Sequence, residues 1–176
     1  MIHTHLRRIV ALASGVLLTA GLALAAPAAT ATTTTTGTTT PAQTRTALVV
    51  NARWGGHPAF DRIVIDLRGH VPPVTVTSVP RLVYDGSGKP VPLPGKSFLQ
   101  IRFHPAAAHD DAGRSVYKGP KLARIHLPVL KGLALTGDFE GYVTFGAAFD
   151  TTPYYRTFVL HSPERFVIDI ARLNRC

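Results

Sequence analysis

Asp61–Leu67 reads DRIVIDL. In an extended chain Ile63, Ile65 and Leu67 fall on one side and Arg62, Val64 and Asp66 on the other, the two-residue period of a strand with one face on a core. Nearly the same grammar returns at Arg165–Ile170, RFVIDI, with Phe166, Ile168 and Ile170 inward against Arg165, Val167 and Asp169. In HPAFDRIVIDL and SPERFVIDI a proline and a phenylalanine precede the alternation, and each ends on an inward aliphatic beside an aspartate. A shared strand grammar accounts for this, and so would two neighbouring strands in equivalent places.

Moving outward from these segments, TALVV, PVTVTSV, RLVYDGSGKPVPL, SFLQIRF, ARIHLPVL, YVTFGAAF and YRTFVLH are further apolar runs between Pro/Gly-rich turns. YDGSGKP reads as a hairpin connection, with glycines free to take positive φ. Prolines recur from Pro72 to Pro163 too often for long helices. About eight to ten short strands point to one all-β domain, an antiparallel sandwich or partly closed barrel. Its expected core contains Ile63, Ile65, Phe145, Phe158, Phe166 and Ile168.

The N-terminus has Arg7 and Arg8, then no charged side chain from Ile9 to Ala26, then closely spaced alanines. That is the pattern of a signal peptide over residues 1–26, with small residues for the peptidase. The run is also long enough for an uncleaved anchor, but its Ala/Gly content and small-residue exit favour cleavage. Residues 27–45 are rich in threonine and alanine and offer almost nothing large to bury, so they are expected to be a disordered linker before a domain over 46–176. The lone cysteine, Cys176, ends the chain, which excludes an internal disulfide.

The formal charge is +9, and loss of Arg7 and Arg8 with the leader leaves +7, a balance that attracts polyanions. The basic residues are scattered and no recognition-helix pattern frames them, so nucleic acid is not the expected partner. For an exported chain the available polyanions are wall polymers and anionic headgroups.

Gly137–Gly146, GDFEGYVTFG, places Asp138 and Glu140 at the head of an aromatic run. Read as one strand, it sets Asp138, Glu140, Tyr142 and Thr144 on a wet face and Phe139, Val143 and Phe145 on the core. Two carboxylates pointing the same way are wrongly presented for glycoside hydrolysis, which needs them facing each other across a sugar. His104 and His109 with Asp110 and Asp111 supply metal-ligand chemistry, but Pro105 begins a loop and no His-Glu-x-x-His helix is present. No serine sits in a Gly-x-Ser-x-Gly elbow, and no glycine set has phosphate-loop spacing. Catalytic residues, metal ligands and cofactors are therefore not assigned. Trp54, in the glycine-rich NARWGGHPAF, is read as a loop residue that either stacks on a sugar or peptide beside Arg53 or caps the core. Tyr84, Tyr117, Tyr142, Tyr154 and Tyr155 add amphipathic contact residues.

HPAFDRIVIDLRG, PRLVYDGSGKPVPLPGKSFLQIRFHPA, GDFEGYVTFGAAFD and RTFVLHSPERFVIDI, in that order, resemble the AMIN-like domain of secreted and lipid-anchored actinobacterial proteins. The resemblance covers Thr46 to Arg172. It implies a small all-β domain named for its similarity to AMIN domains, which position cell-wall amidases by binding peptidoglycan or envelope partners. The family's pattern falls on Phe60, Asp61, Arg62, Asp66, Gly88, Asp138, Glu140, Gly141, Phe145, Pro163, Arg165 and Asp169. The chain departs from many relatives in having no lipobox cysteine, so membrane anchoring is not carried over.

The expectation is a secreted or wall-associated, non-catalytic envelope-binding module. Its partner would be a cell-wall polymer or an envelope protein, with no nucleic acid and no stable membrane insertion after signal cleavage. Its binding residues would come from Arg53, Trp54, Arg62, Asp66, Asp138, Glu140 and Tyr142. The competing reading is a small secreted hydrolase acting on wall glycan or peptide through Asp138, Glu140 or the His104/His109/Asp110 group.

Overall fold

A computed structural model describes residues 46–172. The signal-like segment 1–26, the threonine-rich stretch up to residue 45 and Cys176 lie outside the described residues. Ten strands form two five-stranded sheets, and no helix occurs among the described residues. The strands are β1 (Ala47–Gly56), β2 (Phe60–Arg68), β3 (Val74–Val79), β4 (Ser97–Phe103), β5 (Ala106–Ala107), β6 (Leu122–Arg124), β7 (Leu130–Phe139), β8 (Tyr142–Phe149), β9 (Tyr155–Leu160) and β10 (Arg165–Ala171). Sheet A runs β5-β1-β2-β10-β9 and sheet B runs β3-β4-β8-β7-β6. All neighbours are antiparallel except β1 and β5.

The alternation in β2 and β10 does what the sequence requires of it. Ile63, Ile65, Phe166, Ile168 and Ile170 meet Leu99, Ile101, Phe103, Val143 and Phe145 of sheet B in one core. Phe103 joins the layers edge-on, its ring 5.5 Å from Phe166 and 6.2 Å from Phe145. Phe158 is not part of this core. It pairs with Val167 across β9–β10 and therefore faces outward, under Arg62 and Arg156.

A second apolar cluster lies on the outside of sheet B. Residues 80–96 form no strand of their own. They fold back on themselves through a single bridge between Val83 and Pro90 and run as a strap over the sheet. Leu82 and Val91 bury against Ala134, with Leu93, Val79 and Phe98 around them. The strap explains the glycines beneath it. A Cβ on Gly146 would come within 2.7 Å of Leu82, and one on Gly132 within 2.6 Å of Leu93. A Cβ on Gly137 would collide with the Asp85 carboxylate. These glycines look like strand breakers in the sequence, yet β7 is among the longest strands because its glycines admit the strap. ARIHLPVL (Ala123–Leu130), in contrast, is not one strand: Ala123 and Arg124 end β6, Leu130 begins β7, and the residues between belong to neither.

GDFEGYVTFG is a hairpin and not a single strand. Glu140 and Gly141 form its two-residue turn, with φ of 48° and 77°, the positive values of a type I′ connection. Pairing across it sets Asp138 beside Val143 and Phe139 beside Tyr142. Phe139, expected in the core, is 70% exposed. A register shift between Leu135 and Gly137 carries it to the outer face.

Candidate functional site: the arginine face of sheet A

β2 and β10, the two similar segments, lie side by side and antiparallel, with Arg62 opposite Asp169 and Arg165 opposite Asp66. Each strand thus offers an arginine to the other's aspartate across the ladder, the arrangement in which opposite charges reinforce pairing. At one corner the pair forms. Arg62 donates Nε and Nη2 to the two Asp169 oxygens at 2.6 and 2.9 Å. Arg156 of β9 donates to the same carboxylate at 3.2 and 2.9 Å. Asp169 is only 3% exposed. Its carboxyl is held below the usual aspartate range, first by the Arg62 hydrogen bonds and then by those of Arg156.

At the other corner the partners change. Arg165 turns back to the Pro163 carbonyl at 3.1 Å, and Asp66 takes a two-pronged bond from Arg53 at 3.0 Å on each prong, joined by the Asn51 amide at 3.2 Å. Bonding to Asp66 raises the Arg53 guanidinium above its ordinary value, as Asp169 does for Arg62. A bulge decides this exchange. The β1–β2 register shifts between Val49 and Asn51, so Arg53 faces outward opposite Val64, and Trp54 faces inward opposite Ile63. Trp54 lies on a strand, half-buried against the core, and does not share a surface with Arg53.

The outer face of β1, β2, β10 and β9 therefore presents Arg53, Arg62, Arg68, Arg156 and Arg165 against Asp66 and Asp169, a net charge of +3. Val64 and Val167 point the same way and are nevertheless buried, set among long arginine stems. The Arg62 guanidinium stands 4.9 Å from the Phe60 ring centre and 5.4 Å from that of Phe158, in cation–π range. Where β2 and β9 begin and β10 ends, Phe60, Tyr154, Tyr155 and Arg156 surround a depression of about 290 Å³.

Asp61 begins β2 with a different role. It is fully buried and accepts the backbone N–H groups of Val129 and Leu130 at 2.7 and 2.9 Å and the Arg172 guanidinium at 3.1 and 2.8 Å. It ties sheet A to the start of β7 and has no oxygen to spare for a ligand.

The remaining candidate residues lie elsewhere. Asp138 closes one end of the sandwich, accepting the Ala108 N–H at 2.9 Å and bonding His109 Nδ1 at 2.8 Å. Glu140 is at the hairpin turn, and the two carboxylates line different depressions. They do not face one another across a groove, as paired glycosidase acids do. Tyr142 is on the outer face of sheet B, stacked on His104 at 4.1 Å and capped by Arg102 at 5.1 Å. His104 and His109 are thus separately engaged. Asp110 is turned into its own loop, where the Arg114 N–H and guanidinium hold its carboxyl below the usual range. Among the described residues no three His, Cys, Asp or Glu side chains stand where they would hold a metal ion.

Of the seven candidates, Arg53, Arg62 and Asp66 share one surface. Arg156 and Asp169 complete it. Asp169 is legible from its alternation, while Arg156 in YYRTF carries no signal beyond strand parity.

The model of the AMIN-like domain family matches residues 47–172. The chain belongs to the AMIN-like domain family. The match spans every described strand from β1 to β10. No curated protein and no solved structure matches the chain. AMIN-like domains are in general binding or localisation modules associated with cell-wall proteins.

Proposed function

We propose that this AMIN-like protein is an exported, non-catalytic module that binds an anionic cell-wall polymer through the outer face of sheet A. The observation that carries the reading is the arginine excess on a sheet face that no other segment covers among the described residues. An open sheet face with five arginines, two of them stacked on aromatic rings, suits a carboxylate- or phosphate-bearing chain lying across the strands. Asp66 and Asp169 keep the guanidinium groups fixed, so their remaining donors are pre-set for a ligand. The signal-like Ile9–Ala26 run supports export of such a surface, and outside the cell wall polymers are the abundant polyanions. Asp138 and Glu140 support binding less well than the arginine face, since Asp138 is committed to Ala108 and His109.

The test is co-sedimentation with purified wall sacculi across a salt series, with chromatography of the soluble fraction. Binding is expected to fall as salt rises from about 0.05 to about 0.5 M, as screening shortens the reach of surface charges. No released fragments are expected. Absence of co-sedimentation at the lowest salt would overturn the wall-binding reading, and steady release of muropeptides would overturn the non-catalytic one.

A further inference from the structure

We infer that the trough between Tyr154 and Phe60 is a subsite for a single pyranose ring carrying a carboxylate. The inference rests on the wall-binding reading above and names the chemistry of one unit of the polymer. Three neighbouring strands build the trough. The Ala171 N–H of β10 donates to the Tyr154 carbonyl at 2.8 Å, and Ala171 pairs with Phe60 on its other side. Two aromatic side chains thus rise from the chains flanking β10, roughly 9–10 Å apart at two strand spacings. Only the Ala171 methyl lies between them. The trough is open to solvent, and its volume of about 290 Å³ is at the bottom of the range for small-molecule sites. It is the size for one ring resting on the exposed Tyr154 ring, not for an oligomer or a peptide; Phe60 closes the other side, itself covered by His57 stacked at 4.5 Å and Arg62 at 4.9 Å. Tyr154 is 65% exposed, more than a side chain retained for packing would be.

Charge selects among rings. Asp169 lies at the inner end of the trough, but its oxygens already accept four N–H groups from Arg62 and Arg156. It therefore cannot serve as the counter-ion of an aromatic cage for a cationic ligand, and the Arg62 guanidinium already occupies the Phe60 ring. Arg156 uses Nε and Nη2 on Asp169 and is 72% exposed. Its Nη1 donors stay available beside the trough among the described residues. A neutral sugar would gain stacking alone, whereas a carboxylate on the ring would add a charge-assisted hydrogen bond from Arg156.

The test titrates the protein with N-acetylmuramic acid, glucuronic acid and N-acetylglucosamine, following amide NMR shifts. The first two carry the carboxylate on different positions and distinguish two sources of acidic sugar. The third is the neutral control. At least one acidic sugar is expected to bind about tenfold more tightly than the neutral one and to shift Ala59, Phe60, Tyr154 and Ala171. Tyr154→Ala should abolish all three responses while the remaining spectrum stays folded. Arg156→Gln should bring the acidic sugars down to the affinity of the neutral one. No shifts at the trough, or equal affinity for acidic and neutral sugars, would overturn the subsite. Sacculus co-sedimentation in parallel separates the two proposals. Sacculi retained without any sugar response would sink the subsite alone, and a sugar response without sacculus binding would sink the wall reading alone.

Discussion

Leu82 and Leu93 lie over Gly146 and Gly132 on the outside of sheet B, whereas on sheet A the matching face carries Arg62, Arg156 and Asp169 and meets solvent. Both sheets use the same inward alternation and share one core. They differ in what their outward positions are for. On sheet B the outward positions of β7 and β8 beneath the strap, Gly132, Ala134, Gly146 and Ala148, are small, so a second segment can pack against them and add apolar burial. On sheet A they are long and charged, and the arginine stems shield Val64 and Val167 without any covering segment. A small domain has little surface to spare. The face left open, with its excess of arginine over aspartate, is the one we propose for a partner.

The largest effects are expected under the strap. Leu82 is buried, and Leu82→Ala should cost about 2–5 kcal/mol, read as a lower denaturation midpoint. A loss below about 0.5 kcal/mol would mean that the strap does not stabilise the sheet. Gly146→Ala sets a methyl against the same leucine, and should cost about 1–3 kcal/mol. An unchanged midpoint there would break the link between small outward residues and the strap.

On the open face the effects should be smaller and dependent on pH. Asp169→Asn removes the shared acceptor of Arg62 and Arg156. It should cost about 1–2 kcal/mol at neutral pH, discounted because Arg156 reaches solvent. The Asp169 carboxyl is depressed in the folded protein. Its contribution is therefore complete above the ordinary aspartate value of about 4 and is lost as pH falls through the depressed one. Wild type and variant should accordingly differ in stability at neutral pH and converge in acid. A difference that persisted unchanged into strong acid would assign the loss to packing instead of charge.

Much of this contrast can be read from residue order, and part of it cannot. DRIVIDL and RFVIDI carry their faces openly, because alternation alone sets them, and the core residues Ile63, Ile65, Phe166 and Ile168 follow. GLALTG hides a strand, because glycine's meaning depends on what approaches it, and Leu93 and Asp85 come from a distant segment. RLVYDGSGKPVPL mimics strands, because Leu82, Val91 and Leu93 must also be apolar to cover one. At the site, the acidic residues and Arg62 are visible as outward positions. The choice of Arg53 over Arg165 for Asp66 is not. It turns on one bulged residue in β1, which reverses the faces of Arg53 and Trp54. Phe139 faces outward for the same reason, since one register shift in β7 reverses every side chain after it.

The central claim is that one face, and not net charge in general, binds the wall. Two double variants of equal charge loss test it: Arg53→Gln with Arg156→Gln on sheet A, and Arg81→Gln with Lys89→Gln on the exposed strap. Their sacculus co-sedimentation is compared at one ionic strength. The sheet A pair should lose about tenfold in affinity, roughly 1.4 kcal/mol, and the strap pair less than about twofold. Equal losses in the two variants would contradict the account.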